Sequence, residues 1–144
     1  MKKVLLAFIL ISTFPSLFSQ TIRAKDRWGE SLCYIDGNTL REKDRWGEKL
    51  FYFDGTTVHE IDQWGAKLIF MDGNTVRERD RWGKKLLYFD GYTIRLGDQW
   101  GEKLYYLDGA TLREKDQWGN PVLYFETIPD KWILAILIIL LEQI

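Results

Sequence analysis

An aspartate recurs every eighteen residues along this chain, at Asp26, Asp44, Asp62, Asp80, Asp98 and Asp116. Each opens the same string, D-(R/Q)-W-G-x-K-L-x-Y-x-D-G-x-T-(L/V/I)-R-E-K, and Thr21 to Lys25 is the tail of one more unit before the first. Repetition at so short a fixed period signals one supersecondary unit stacked on copies of itself, since no single unit can bury its apolar face alone. The repeat region is residues 20–129.

Each unit carries two turn signals. Asp-Gly between alternating apolar and polar runs, as at Asp54-Gly55, predicts a two-residue type I′ hairpin, because both turn residues need positive φ. The D-x-W-G corner, as at Asp62 to Gly65, predicts a four-residue loop. In this register Phe53 faces Thr56, Tyr52 faces Thr57, Phe51 faces Val58, Leu50 faces His59 and Lys49 faces Glu60. The following corner sets Glu60 opposite Lys67 and Val58 opposite Ile69. The expected fold class is all-β: tandem β-hairpins forming a coiled antiparallel meander of about twelve short strands, finished by one apolar C-terminal helix. The alternative, a β-solenoid with one coil per unit, stacks Asp on Asp and Arg on Arg about 4.8 Å apart. A meander separates those like charges by an intervening strand.

Strand parity then gives two unlike faces. One carries Phe51, Phe53 and Val58, then Ile69, Met71 and Val76, then Leu87, Phe89, Tyr92 and Ile94, varying in size as a packed core does. The other repeats one set: Leu50, Tyr52, Thr57 and His59, then Leu68, Phe70, Thr75 and Arg77, then Leu86, Tyr88, Thr93 and Arg95. Twist coils such a sheet and places the varied face inside. Strands of about six residues with Lys and Glu at their ends fall short of the roughly nine to eleven that cross a bilayer.

The ends differ from the middle. Residues 1–19 have two lysines, an apolar run from Val4 to Ile11 and a small residue at Ser19, the pattern of a cleaved secretory signal. Its removal takes away Lys2 and Lys3 and moves the formal net charge from −1 to −3. No basic footprint of a nucleic-acid binder is present. Cys33 is the only cysteine, so it closes no internal disulfide; it fills the place of Phe51, Ile69, Leu87, Tyr105 and Leu123 and reads as a small core residue. Pro121 stands in the last strand, where a sheet edge tolerates a missing donor. Residues 130–144 read as a helix capped by Asp130, with ten consecutive apolar residues from Trp132 to Leu141. At about 21 Å it is too short to span a bilayer. Being apolar all round, it has to be buried, either plugging the coiled sheet or docking into a membrane-embedded partner or the lipid interface.

Catalysis finds no foothold. Asp36, Asp54, Asp72, Asp90 and Asp108 sit in turns, and one carboxylate per loop at Asp36 or Asp72 falls short of a calcium shell of about six to eight oxygens. His59 is the sole histidine and stands where other units have Arg. Every polar element recurs in each unit, whereas an active site needs a unique constellation. The expectation is no enzyme, no cofactor and no metal.

The aromatics are the stronger lead. Trp28, Trp46, Trp64, Trp82, Trp100 and Trp118 line one edge, about 9.6 Å apart, and Tyr34, Tyr52, Phe70, Tyr88, Tyr106 and Tyr124 form a parallel row. Each Trp is expected to fold over its own corner and shield the strand ends; otherwise the rows are a platform for sugar rings or a partner's side chains. The Trp-Gly corners and strings such as KLYYLDG, Lys103 to Gly109, resemble the aromatic β-hairpin repeats of cell-wall-binding, choline-binding-type modules. That resemblance implies pockets between neighbouring hairpins for cell-surface ligands. The eighteen-residue period, the Asp-x-Trp-Gly opening and the apolar tail depart from that family, so no ligand-binding residue is carried over.

The resulting expectation is an exported, non-catalytic interaction module or accessory subunit of the bacterial cell envelope, located in the periplasm, at the outer membrane or on the cell surface. Its expected partner is an envelope or outer-membrane protein complex, docked through Trp132, Ile133, Ile136, Leu137 and Leu140. The alternative is a carbohydrate-binding module recognising a cell-surface glycan through the Trp and Tyr rows. A second alternative is a self-assembling structural protein that uses the first strand as an open edge.

Overall fold

The computed structural model describes residues 19–144; the secretory signal lies outside the described residues apart from Ser19. Twelve strands follow in order: β1 (Ser19–Ala24), β2 (Ser31–Asp36), β3 (Thr39–Glu42), β4 (Lys49–Phe53), β5 (Thr57–Glu60), β6 (Lys67–Asp72), β7 (Thr75–Glu78), β8 (Lys85–Asp90), β9 (Thr93–Leu96), β10 (Lys103–Asp108), β11 (Thr111–Glu114) and β12 (Pro121–Phe125). The helix α1 (Lys131–Glu142) completes the chain. Each strand pairs antiparallel with its sequence neighbours, and β1 also pairs with β12, so the meander closes into a barrel. No solenoid coil is formed.

Closure corrects the expectation of free edges. Ile22, Arg23 and Ala24 face Phe125, Tyr124 and Leu123 across the seam, so neither β1 nor the Pro121 strand is open. The edge that motivated self-assembly is already occupied.

Both turns differ in detail from the predicted register. Asp72 pairs with Thr75, which makes Asp the last strand residue and Gly73-Asn74 the two-residue loop. Glycine at the first loop position has φ near +62 and its follower does not, the arrangement of a type II′ rather than a type I′ turn. Phe53 therefore faces Val58, and Tyr52 faces His59. The slip is by two, so the faces survive. Tyr92 is displaced into a turn and is 65% exposed instead of facing inward.

At the Trp corners the expected Glu60–Lys67 pair is replaced by His59 opposite Lys67, with a bulge between Val58 and His59. The extra residue is Leu68, and Leu32, Leu50, Leu86, Leu104 and Val122 take the same place in the other units. A bulge breaks strict alternation. Leu68, Leu104 and Val122 accordingly pack against the core and Leu86 is buried in it, where parity alone puts Leu68 and Leu86 outside. The freed carbonyls are used: Lys43 N–H donates to Leu32 O at 3.0 Å, Ile61 to Leu50 at 2.9 Å, and so on round the ring to Lys25, which donates to Val122 at 2.9 Å across the seam.

Twelve strands about 4.8 Å apart and tilted by about 40° give a barrel some 24 Å across. A helix about 10–12 Å wide fits inside with one layer of side chains around it. That is where α1 lies. Trp132, Ile133, Leu134, Ala135, Ile136, Ile138 and Ile139 are buried in one cluster with inward residues such as Ile22, Ile35, Val58, Leu87, Leu112 and Phe125. Trp132 stacks on Phe53 with centroids 5.2 Å apart. Lys131 Nζ donates to Asn74 Oδ1 at 2.7 Å at the Gly-turn end, while Ile144 lies at the Trp-corner end beside Glu78 and Leu86. The side chain of Asp130 makes no cap; its carbonyl accepts from Ile133 and Leu134 instead. Gln20 Oε1 accepts from Glu126 N–H at 3.0 Å and Thr127 N–H at 3.3 Å, tying β1 to the segment that turns into the lumen.

Candidate interaction surface

Each Trp corner is built the same way from its own residues. At residues 43–48, Lys43 takes a left-handed φ of 65°. Asp44 then starts a turn in which Gly47 N–H donates to Asp44 O at 2.9 Å. Asp44 Oδ1 accepts from Trp46 N–H at 2.9 Å, an Asx arrangement repeated at Asp26, Asp62, Asp80, Asp98 and Asp116. The glycine is required by space: a Cβ on Gly47 falls 1.6 Å from Glu42 O.

This geometry throws the indole outward. Trp28, Trp46, Trp64, Trp82, Trp100 and Trp118 are between 80 and 84% exposed, which overturns the expectation that they cover the strand ends. The strand ends are instead closed by backbone hydrogen bonds and the bulge leucines. Arg27, Arg45 and Arg81 lie 4.8, 4.7 and 5.0 Å from the ring centroids of Trp28, Trp46 and Trp82; the other three corners carry Gln63, Gln99 and Gln117 in that place.

Tyr34, Tyr52, Phe70, Tyr88, Tyr106 and Tyr124 are half-buried on the outer wall. Between them run straps that sequence reasoning missed. Arg77 Nε donates to Asp72 Oδ2 at 3.0 Å and its Nη1 to Gly83 O at 3.2 Å, joining the Gly-turn end of one hairpin to its Trp corner. Arg41, Arg95 and Arg113 do likewise with Asp36, Asp90 and Asp108. The recurring Asp and Arg five residues apart across a glycine turn was the signal. Shallow grooves result: Tyr34, Asp36, Arg41, Arg45 and Trp46 line one, and Tyr88, Asp90, Arg95, Gln99 and Trp100 another.

His59 performs the strap in the second unit and is buried, not a surface substitute. Its Nε2 lies 2.8 Å from Asp54 Oδ2 and its Nδ1 3.0 Å from Gly65 O. Both partners accept, so both nitrogens donate only when the ring is protonated, and this arrangement favours the imidazolium. Burial raises the Asp54 carboxyl, but donations from Thr56 N–H, His59 and Thr57 N–H outweigh it and hold the group down at about 2. The same bond to Asp54 raises His59 above its ordinary value, against burial and the nearby Lys67 charge. Burial pushes the Cys33 thiol up to about 12.

The five tail residues expected to dock a partner divide. Trp132, Ile133 and Ile136 are buried inside the barrel, Leu137 is half-buried and Leu140 is exposed. Of the apolar side chains of residues 131–144 only those of the last turn are exposed, Leu140 at 52%, Leu141 at 42% and Ile144 at 45%. They emerge at the corner end, where Ile61 is also exposed. Among the described residues no cluster of three or more His, Cys, Asp or Glu is placed to hold a metal ion, and no helix is long and apolar enough to cross a membrane.

No known protein family, curated protein or solved structure matches this chain.

Proposed function

We propose that this protein is a non-catalytic interaction module of the bacterial cell envelope, reached by export, and that the Trp-corner end of the barrel is its contact surface. The observation that carries this reading is the ring of six indoles at 80–84% exposure. Large apolar side chains gathered on one surface mark a binding face in a soluble protein, and Trp is the residue most enriched at binding hot spots. With the buried part of α1 committed to its own core, the docking role passes from the helix to the rim.

The test is retention of the protein by native envelopes. Changing all six rim tryptophans to Ser releases it into the soluble fraction with the fold intact by circular dichroism. Undiminished retention of that variant refutes the reading.

The grooves favour a second reading, a carbohydrate-binding module. Tyr88, Trp100 and Gln99 with the Asp90–Arg95 pair combine flat apolar plates with polar donors and acceptors, the combination a sugar ring needs. Glycan-array binding lost in Tyr88→Ala and Trp100→Ala supports it; an array without a hit removes it.

A further inference from the structure

The six corners are not equivalent in charge. In the window Glu78 to Lys85, Arg79, Arg81, Lys84 and Lys85 face two acids, Glu78 and Asp80, for a net +2. The matching windows 24–31 and 42–49 are neutral, and 60–67, 96–103 and 114–121 are each −1. All four cations are exposed, as is Trp82 between them.

The basic corner adjoins an apolar opening at this end, since Glu78 and Leu86, which flank the corner in sequence, line it. A crevice of about 200 Å³ runs between the last turn of α1 and the barrel wall, lined by Leu68, Leu86, Ile136, Ile139, Leu140 and Ile144 among others. Leu68 of β6 and Leu86 of β8 are the bulge residues on either side of β7, the strand that leads into the basic corner, so the crevice opens beside that corner. Glu78 is the single carboxylate on its lining. The volume is below the roughly 300–1,000 Å³ of sites for compact small molecules, and suits a short stretch of alkyl chain.

We propose that the partner of the corner end is a bilayer containing anionic phospholipid: Arg79, Arg81, Lys84 and Lys85 receive the headgroup, an acyl chain enters the crevice, and the Trp ring lies at the membrane–water interface. This inference rests on the interaction-module reading above and names its partner. Each element has its physical reason. Exposed basic side chains are attracted to anionic leaflets, indoles concentrate at the interface, and Ile61, Leu140, Leu141 and Ile144 add apolar surface at the same end. The protein lies on the membrane and does not cross it, since its strands hold four to six residues and its lumen, not its outer wall, is apolar.

The experiment is cosedimentation of residues 20–144 with phosphatidylcholine vesicles, with and without phosphatidylglycerol, paired with quenching of Trp emission by brominated acyl chains. Expected are binding that requires phosphatidylglycerol, quenching, and a loss of about tenfold or more in R79Q/R81Q/K84Q/K85Q and in L140E. K25Q/R27Q, at the first corner of the same ring, loses less than R79Q/R81Q, which removes the same number of charges at the basic corner. No binding to phosphatidylglycerol vesicles overturns the proposal, and so does binding without quenching or binding that both corner variants weaken equally. If vesicles fail while the six-Trp variant still loses native envelopes, the lipid inference falls and the interaction module stands, with a protein or glycan partner.

Discussion

His59 Nε2 donates to Asp54 Oδ2 at 2.8 Å, in the place where four other units hold an arginine against an aspartate. The two differ in one respect: arginine keeps its charge at all working pH values, and histidine does not. One strap of the barrel is therefore titratable.

The sign follows from the two shifts. His59 has a raised value in the folded state, so its contribution is complete below the ordinary 6.5 and is lost as pH rises through the folded value. Asp54 is held at about 2, so its contribution is present above the ordinary 3.8 and is lost as pH falls toward 2. Urea unfolding midpoints are expected to be higher at pH 5.5 than at pH 9, and H59R flattens that alkaline slope. H59A costs about 1–3 kcal/mol at pH 5.5 by leaving Gly65 O and Asp54 without their donor.

The two glycine classes respond differently to alanine. G47A drives a Cβ to within 1.6 Å of Glu42 O and opens the corner, at about 2 kcal/mol or more. G37A meets nothing within 4 Å but must hold φ +64, which costs about 1–2 kcal/mol. Thermal unfolding of the two variants ranks them.

Ile61 is a β-branched residue at φ 65, where the fourth unit uses Gly97. Relief of about 1–2 kcal/mol of left-handed strain, less the entropy of glycine at about 0.5–1 kcal/mol, makes I61G more stable by up to about 1.5 kcal/mol in chemical denaturation.

The helix is structural. W132A removes the partner of Phe53 and costs about 3–5 kcal/mol, and a chain stopped after Asp130 has an unfilled lumen. Size separation with a hydrophobic dye is expected to show that truncated form aggregated or expanded, not as a small folded species.

Cys33, buried and with its thiol pushed up to about 12, is expected to resist alkylation at pH 8 in the native protein and to react at once in guanidinium.

Much of this fold is visible in the eighteen-residue string, because strand parity survives an error of two in register. Phe53 and Val58 share the core face whether the two-residue loop begins at Asp54 or at Gly55. Closure was not visible: it depends on the summed twist of twelve strands and on Lys25 meeting Val122, residues almost a hundred apart. The bulge leucines were hidden for a local reason, since after Lys49 the run L-F-Y-F is apolar or aromatic throughout and offers alternation nothing to count. For the Trp ring, spacing gave the row and its common edge. Orientation came from the Asx turn and the glycine approach, which throw each indole outward.

The central claim is that the Trp-corner end is the contact surface, and residue-level oxidative footprinting on native envelopes tests it most directly. The protein carries its own reference, since Trp132 is buried at 3% exposure while the six rim indoles are open. The account predicts that envelope contact protects several of Trp28, Trp46, Trp64, Trp82, Trp100 and Trp118 several-fold, with Trp82 prominent, and leaves Tyr92 at the opposite end as reactive as in solution. Rim indoles as reactive on the envelope as free, or protection centred on Tyr92 and the glycine turns, contradicts it.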